Sequence, residues 1–260
     1  MDISVKNISF SIKNTVILSD ISASIASMEC VGIVGPNGSG KSTLLKCIYR
    51  VLQPDAGEIF FDGSNIKNMT LKESARAVSV MAQDNSYAFD FLVEDIVLLG
   101  RTPYKKMLQF DNEADYKIVK NALKTVGLAG FEKRNFSAIS GGEKQRVILA
   151  RALAQNTSCL IMDEPTNHLD IKYQMQTMEI VKKHKFTSII AIHDLNIAAL
   201  YCDRIIALKD GQIVGNDVPE KLLTPEFIYY LYEVLSEVHM NKKTGKVNII
   251  YMPSDSNICK

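Results

Sequence analysis

The sequence predicts an α/β fold, a core built on a parallel β-sheet and interrupted by a run of helices. Three observations predict it. Short, mainly apolar runs of strand length occur at residues 30–34, 159–162 and 188–192, as expected of strands buried on both faces. A helical pattern at 171–184 separates the last two runs, and strand, helix, strand in that order implies parallel pairing. Between about residues 90 and 155 the apolar spacing turns helical throughout.

Taken in order, residues 3–8 and 9–12 alternate apolar and polar side chains, as half-buried strands do. The run 30–34 stops at Gly35 and gives way to a helical stretch at 44–51. Residues 57–62 read as a strand closed by a turn at Asp62-Gly63. Glycine and proline divide the helical middle into segments 94–99, 113–126 and 142–154. After Gln155 the β character returns. No repeat, low-complexity segment or flexible linker is evident.

At 260 residues the chain can bury a large core as one domain or as two lobes. A composition of 47% hydrophobic and 23% charged residues excludes wholesale disorder. Thirty basic against 29 acidic residues leave a net charge of +1, which gives no electrostatic footprint for nucleic acid as a partner. The five cysteines (Cys30, Cys47, Cys159, Cys202, Cys259) are scattered, odd in number and without a CxxC pair. They suggest neither a disulfide framework nor a zinc site, and a reducing cytoplasm fits them best. Met1-Asp2-Ile3-Ser4 does not open a signal peptide, and apolar stretches such as 189–192 fall far short of the roughly 18 residues that span a bilayer. Any membrane role would be that of a peripheral subunit.

Gly35-Pro36-Asn37-Gly38-Ser39-Gly40-Lys41-Ser42-Thr43 fits the pattern GxxxxGK[ST] between a predicted strand and a predicted helix. Glycines let such a loop curl its N–H groups around phosphates, and the helix N-terminus adds a favourable field. Lys41 is placed to reach the β- and γ-phosphates of ATP, and Ser42 to offer a hydroxyl to Mg2+. The bland alternative is a glycine-rich turn with an accidental lysine. Asp163-Glu164 follows the apolar run 159–162, where a carboxylate lies at the sheet edge that collects ligands. Asp163 would hold magnesium and Glu164 would orient and deprotonate water. Taken alone, two acids after a strand are more often a solvated loop; the phosphate loop upstream favours the functional reading. Ile139-Ser140-Gly141-Gly142-Glu143-Lys144-Gln145-Arg146 opens a helix, with Ser140 as N-cap and Glu143 placed for a capping box.

That third motif resembles the LSGGQ signature of the ATP-binding cassette (ABC) family, with Ile139 for Leu and Glu143 for Gln. The resemblance spans about residues 3–220. It implies an ABC nucleotide-binding domain: a phosphate-loop NTPase core, an N-terminal antiparallel β portion and an inserted helical subdomain. The implied division is a core of 1–84 and 156–220, a helical subdomain of 85–155 and a short extension of 221–260, all in one ATPase domain. Gln83 then resembles the glutamine that senses magnesium and the attacking water. Residues 167–170 resemble the dimer-contact loop, ending in Asp170. His193 resembles the switch histidine at the γ-phosphate, although a histidine ending a strand is ordinarily structural. Phe10 stands where the family stacks an aromatic on adenine, although a phenylalanine there is ordinarily core. Ser140, Gly141, Gly142 and Glu143 would cover the nucleotide held by a second ATPase subunit in a head-to-tail dimer.

Finer resemblance points to importers of iron–siderophore, haem and cobalamin-type chelates, through the GRxPx stretch at 99–104, residues 163–171 and 192–196, and the tail from 223 to 251. It implies an integral membrane permease, a substrate-binding protein and a place on the cytoplasmic face of the membrane. An ATPase of a zinc or manganese importer and a non-transport soluble ABC ATPase remain the alternatives. Residues 85–91, with Tyr87, Phe89 and Phe91, are expected to meet the permease in a groove beside Gln83, with core packing of the helical lobe the alternative for Phe91.

Overall fold

The computed structural model describes residues 1–82, 91–106, 108–165, 170–184 and 186–253. The chain begins β1 (Ile3–Ile12), β2 (Thr15–Ile25), β3 (Cys30–Val34), α1 (Lys41–Ile48), β4 (Ala56–Phe61), β5 (Ser64–Asn65), α2 (Leu71–Ala77) and β6 (Val78–Met81). Helices α3 (Val93–Leu98), α4 (Glu113–Thr125) and α5 (Gly141–Ala154) follow. Then come β7 (Cys159–Asp163), α6 (Ile171–Lys183), β8 (Thr187–Ala191), α7 (Leu195–Tyr201), β9 (Arg204–Lys209) and β10 (Gln212–Asp217). The chain ends in α8 (Pro219–Leu222), α9 (Pro225–Tyr232), β11 (Leu235–Asn241) and β12 (Lys246–Met252).

The central sheet has the order β10-β9-β3-β8-β7-β6; β9, β3, β8, β7 and β6 run parallel, and β10 is an antiparallel edge. A second, antiparallel sheet has the order β2-β1-β4-β5. Alternation along the parallel strands sends side chains into two cores. Ile161, Ile189, Ala191, Ile206 and Leu208 face α1 and the antiparallel sheet. Leu160, Met162, Ile190, Ile205 and Ala207 face the helices and the C-terminal segment. The two runs expected at 3–8 and 9–12 form one strand, broken in register between Val5 and Ile8 and again around Phe10. Asp62 and Gly63, both with positive φ, make the two-residue turn joining β4 to β5.

The GRxPx stretch is a structural bolt. A Cβ on Gly100 would lie 2.3 Å from the Arg151 carbonyl, so only glycine lets this segment close on α5. Arg101, buried, bonds Asp115 at 3.2 Å and the Ala154 carbonyl at 2.8 Å, with its guanidinium 4.3 Å from the centre of the Tyr104 ring. Arg76 of α2 donates to the Pro103 carbonyl at 2.9 Å. These contacts fix α5 to α2 and α4.

Candidate nucleotide site

The carboxyl ends of β3, β7 and β8 lie side by side, with Ile33 and Asp163 both opposite Ala191. Ligands gather at that edge of an open α/β sheet. Gly35 turns the chain out of β3 at φ 150°, where a Cβ would come within 2.1 Å of the Leu208 carbonyl. Gly40, at φ 100°, precedes α1 without a side-chain cap, and α1 has no acid in its first turn. Its first N–H groups are therefore left for an outside acceptor. The Ser39 hydroxyl is buried and has no hydrogen-bond partner among the described residues. Among the described residues nothing lies within 4 Å of where a Cβ on Gly38 would stand.

Lys41 is 5% exposed, its ammonium donating to the carbonyls of Gly35 (2.8 Å) and Pro36 (3.0 Å). Burial lowers its pKa, against the opposing pull of Glu164 and Asp163. Ser42 Oγ donates to Asp163 Oδ1 at 2.9 Å. Burial pushes the Asp163 carboxyl above its usual range, although the Ser42 bond acts the other way. A hydroxyl and a carboxylate side by side are hard oxygen ligands of the kind Mg2+ takes. No cluster of three or more His, Cys, Asp or Glu occurs among the described residues. Magnesium needs none, because it keeps waters and phosphate oxygens as its other ligands.

Glu164 follows at φ 53°, a left-handed conformation uncommon outside glycine. That turn aims its carboxylate across the edge, and Oε1 sits 2.5 Å from His193 Nε2. His193 comes two residues after β8 ends. So the structure brings together Lys41, Ser42, Asp163, Glu164 and His193, from three separate stretches of chain. Gln83 and residues 167–169 lie outside the described residues, as do Tyr87 and Phe89.

Ser140 caps α5 in a full capping box: Glu143 Oε2 accepts from Ser140 N at 2.8 Å and Oγ at 2.7 Å. These bonds hold the Glu143 carboxyl below its usual range. Ile139 is buried, so the change from Leu keeps an apolar anchor. Among the described residues no hydrogen bond or ion pair joins 140–143 to 35–43. Gly142 and Arg146 pack on Tyr173 of α6, and the backbone carbonyl of Asp170, the N-cap residue of that helix, accepts from Tyr173 N at 2.8 Å. Tyr173 thus ties the signature turn to Asp170, a link the sequence did not announce.

Phe10 is 9% exposed and belongs to the core beside α1. Ile12, farther along β1, is 53% exposed, and Val16 of β2, paired with Ser11, is 64% exposed. The same hairpin abuts the phosphate loop, since a Cβ on Gly40 would meet the Leu18 side chain at 2.7 Å. Sequence reasoning also missed Tyr232, whose hydroxyl accepts from Gly35 N at 2.8 Å across 197 residues.

The family model described as ABC transporter matches residues 18–167. The cobalamin import ATP-binding protein BtuD of Halobacterium salinarum is 36% identical over 257 residues, which is 97% of this chain and 64% of that relative's length. The petrobactin import ATP-binding protein FpuC of Bacillus anthracis is 37% identical over 221 residues, covering 84% of this chain and 81% of its own. Among solved structures, a dimeric bacterial ABC transporter cassette gives a TM-score of 0.73 at 28% identity, over 84% of this chain and 98% of that one. With the phosphate loop, the strand-end acids and the capped signature helix in one fold, the chain belongs to the ABC transporter family.

Proposed function

We propose that the chain is the Mg-ATP-hydrolysing subunit of an importer that carries a metal chelate, such as an iron siderophore, haem or a cobalamin, through a membrane permease. The observation that carries the chemistry is the Glu164–His193 contact next to Lys41 and the Ser42–Asp163 pair. Relatives named for cobalamin and petrobactin import support the cargo class.

In this reading ATP phosphates enter the loop 35–43, and Lys41 exchanges the Gly35 and Pro36 carbonyls for phosphate oxygens. Ser42, Asp163 and Gln83 would hold Mg2+, which neutralises charge on the β- and γ-phosphates when bound. Glu164 takes a proton from water as the water oxygen bonds the γ-phosphorus and the bond to the ADP oxygen breaks. His193 holds Glu164 in place and is near enough to monitor the γ-phosphate. The adenine lies on the exposed Ile12 of the hairpin rather than on the buried Phe10. Ser140, Gly141 and Gly142 of a second subunit close over the γ-phosphate, with Glu143 and Asp170 at the same interface.

The permease docks in the groove of about 320 Å³ lined by Tyr49, Leu71, Leu99, Val80 and Arg151. Leu71 is 72% and Leu99 49% exposed at its rim, apolar surface that a partner helix can cover. Val78 and Val80 of β6, the strand leading toward Gln83, line the groove.

Replacing Glu164 by Gln keeps the shape and removes the base. Turnover should fall roughly 10²–10⁴-fold while an ATP-bound dimer accumulates in sedimentation. Near wild-type turnover would contradict the assignment. For cargo, a deletion strain should fail to grow on a chelate as sole iron source and grow normally on abundant iron. Normal chelate growth, with no second ATPase substituting, would refute the cargo class and leave the ATPase chemistry standing.

A further inference from the structure

We propose that the C-terminal segment from α9 to β12 is a positioning element of the nucleotide site, with Tyr232 as the residue that sets the phosphate loop. The inference rests on the ATP reading above. It begins at Gly35, the first residue beyond β3. Strands β8 and β9 pair with β3 only as far as Val34, and the Gly35 N–H leaves the sheet without a strand partner. Tyr232 supplies the acceptor, its hydroxyl 2.8 Å from that nitrogen. The Gly35 carbonyl accepts from the Lys41 ammonium, also at 2.8 Å. One peptide residue is thus held by the tail on its N–H side and by the phosphate-binding lysine on its carbonyl side. Burial, which pushes the phenol up to about 12, keeps Tyr232 neutral at any working pH.

The same segment is anchored a second time, beside His193. The Asn196 side-chain amide pairs with the backbone of Ile249 in β12, donating at 3.1 Å and accepting at 2.7 Å. Asn196 is the second residue of α7. Asp194, directly after His193, caps that helix. Ser236 of β11 pairs with Tyr251 of β12, so a continuous hairpin joins the two anchors. The segment therefore spans from the lysine side of the site to the histidine side. It holds Gly35 where the Lys41 ammonium must start before it moves to phosphate.

The test compares full-length wild type with Tyr232→Phe, which removes only the hydroxyl. Calorimetric titration with the non-hydrolysable analogue AMPPNP should show affinity falling about fivefold, the size of one neutral hydrogen bond. KM for ATP should rise in step while kcat stays within about twofold, and the nucleotide-free Tm should move by less than about 2 °C. Tyr229→Phe, at an exposed tyrosine of the same helix, should change none of these. Unchanged AMPPNP affinity in Tyr232→Phe would overturn the proposal. So would a joint loss of affinity and kcat with a Tm fall of more than about 5 °C, which marks a merely structural tyrosine. Lys41→Ala serves as the control for the underlying reading: if it binds AMPPNP like wild type, the ATP site fails, not the role of Tyr232.

Discussion

Two helix N-termini in this chain are built in opposite ways. At α1, Gly40 leaves the first turn without a side-chain cap, Ser39 has a buried hydroxyl with no partner among the described residues, and Lys41 is buried against two carbonyls. At α5, Ser140 and Glu143 satisfy one another in a capping box at the surface. The first arrangement leaves backbone donors open to an outside anion. The second has no such need, and the Ser140 hydroxyl is committed to its own helix. In the proposed reading a phosphate reaching α5 would have to displace Glu143 from that hydroxyl, so α5 would bind weakly alone and contribute when α1 of another subunit presents the phosphate.

The comparison can be broken most forcefully at α1. Lys41→Ala should weaken ATP binding about 100-fold, as expected when charge-assisted hydrogen bonds to phosphate are lost. Titration with AMPPNP checks it, and a loss below about threefold would mean the loop is not the primary anion site. Asp163→Asn should abolish turnover yet stabilise the nucleotide-free protein. The sign follows from burial: the folded pKa of Asp163 is raised, so its favourable contribution is present below the unfolded value of about 3.9 and is lost as pH rises through the folded pKa. At pH 7 the variant should melt about 2–4 °C above wild type, and the gap should close toward pH 4. Differential scanning calorimetry across that range would show it. A gap that widened toward acid would contradict the assignment.

Smaller effects are expected at α5. Glu143→Gln keeps an amide oxygen for the cap and removes a negative charge from the face offered to the partner's phosphate. Tm should shift by less than about 1 °C, while the ATP-driven dimer tightens about two- to fivefold in analytical ultracentrifugation. In the groove, Leu99→Glu should leave basal ATPase unchanged and lower transport about tenfold in reconstituted vesicles. Transport at the wild-type rate would move the permease contact elsewhere.

How much of this was legible in the sequence depends on how local each feature is. The loop 35–43 and the box Ser140–Glu143 are contiguous, so the phosphate-loop pattern and the helix cap could be read from spacing, while the nucleotide role of 140–143 came only through the family resemblance. Asp163 and Glu164 could be read because a buried strand names its own end. His193 and Asp170 became readable only through the family resemblance. The fold class was legible because buried parallel strands are apolar runs, but β2 and the β11–β12 hairpin alternate too weakly to stand out. Phe10 shows the limit on one strand: the sequence gives its position and not that bulges turn it inward while Ile12 overhangs. Tyr232 shows the limit across the chain. No local pattern links a tail tyrosine to a glycine 197 residues earlier, and only folding brings them together. The GRxPx stretch carries the opposite lesson, since a motif read for its cargo association proves to brace the helical lobe.

The central claim is that the two unlike helix N-termini meet only between subunits. It is tested most directly by mixing two inactive variants, Lys41→Ala, which cannot hold ATP, and Ser140→Arg, which binds ATP but cannot close over it. A heterodimer of the two contains one site with an intact phosphate loop facing an intact signature turn. The account predicts that mixing restores about half the wild-type ATPase rate per heterodimer, from one working site of two. No recovery, under conditions where subunit exchange is demonstrated by labelled protein, would contradict it.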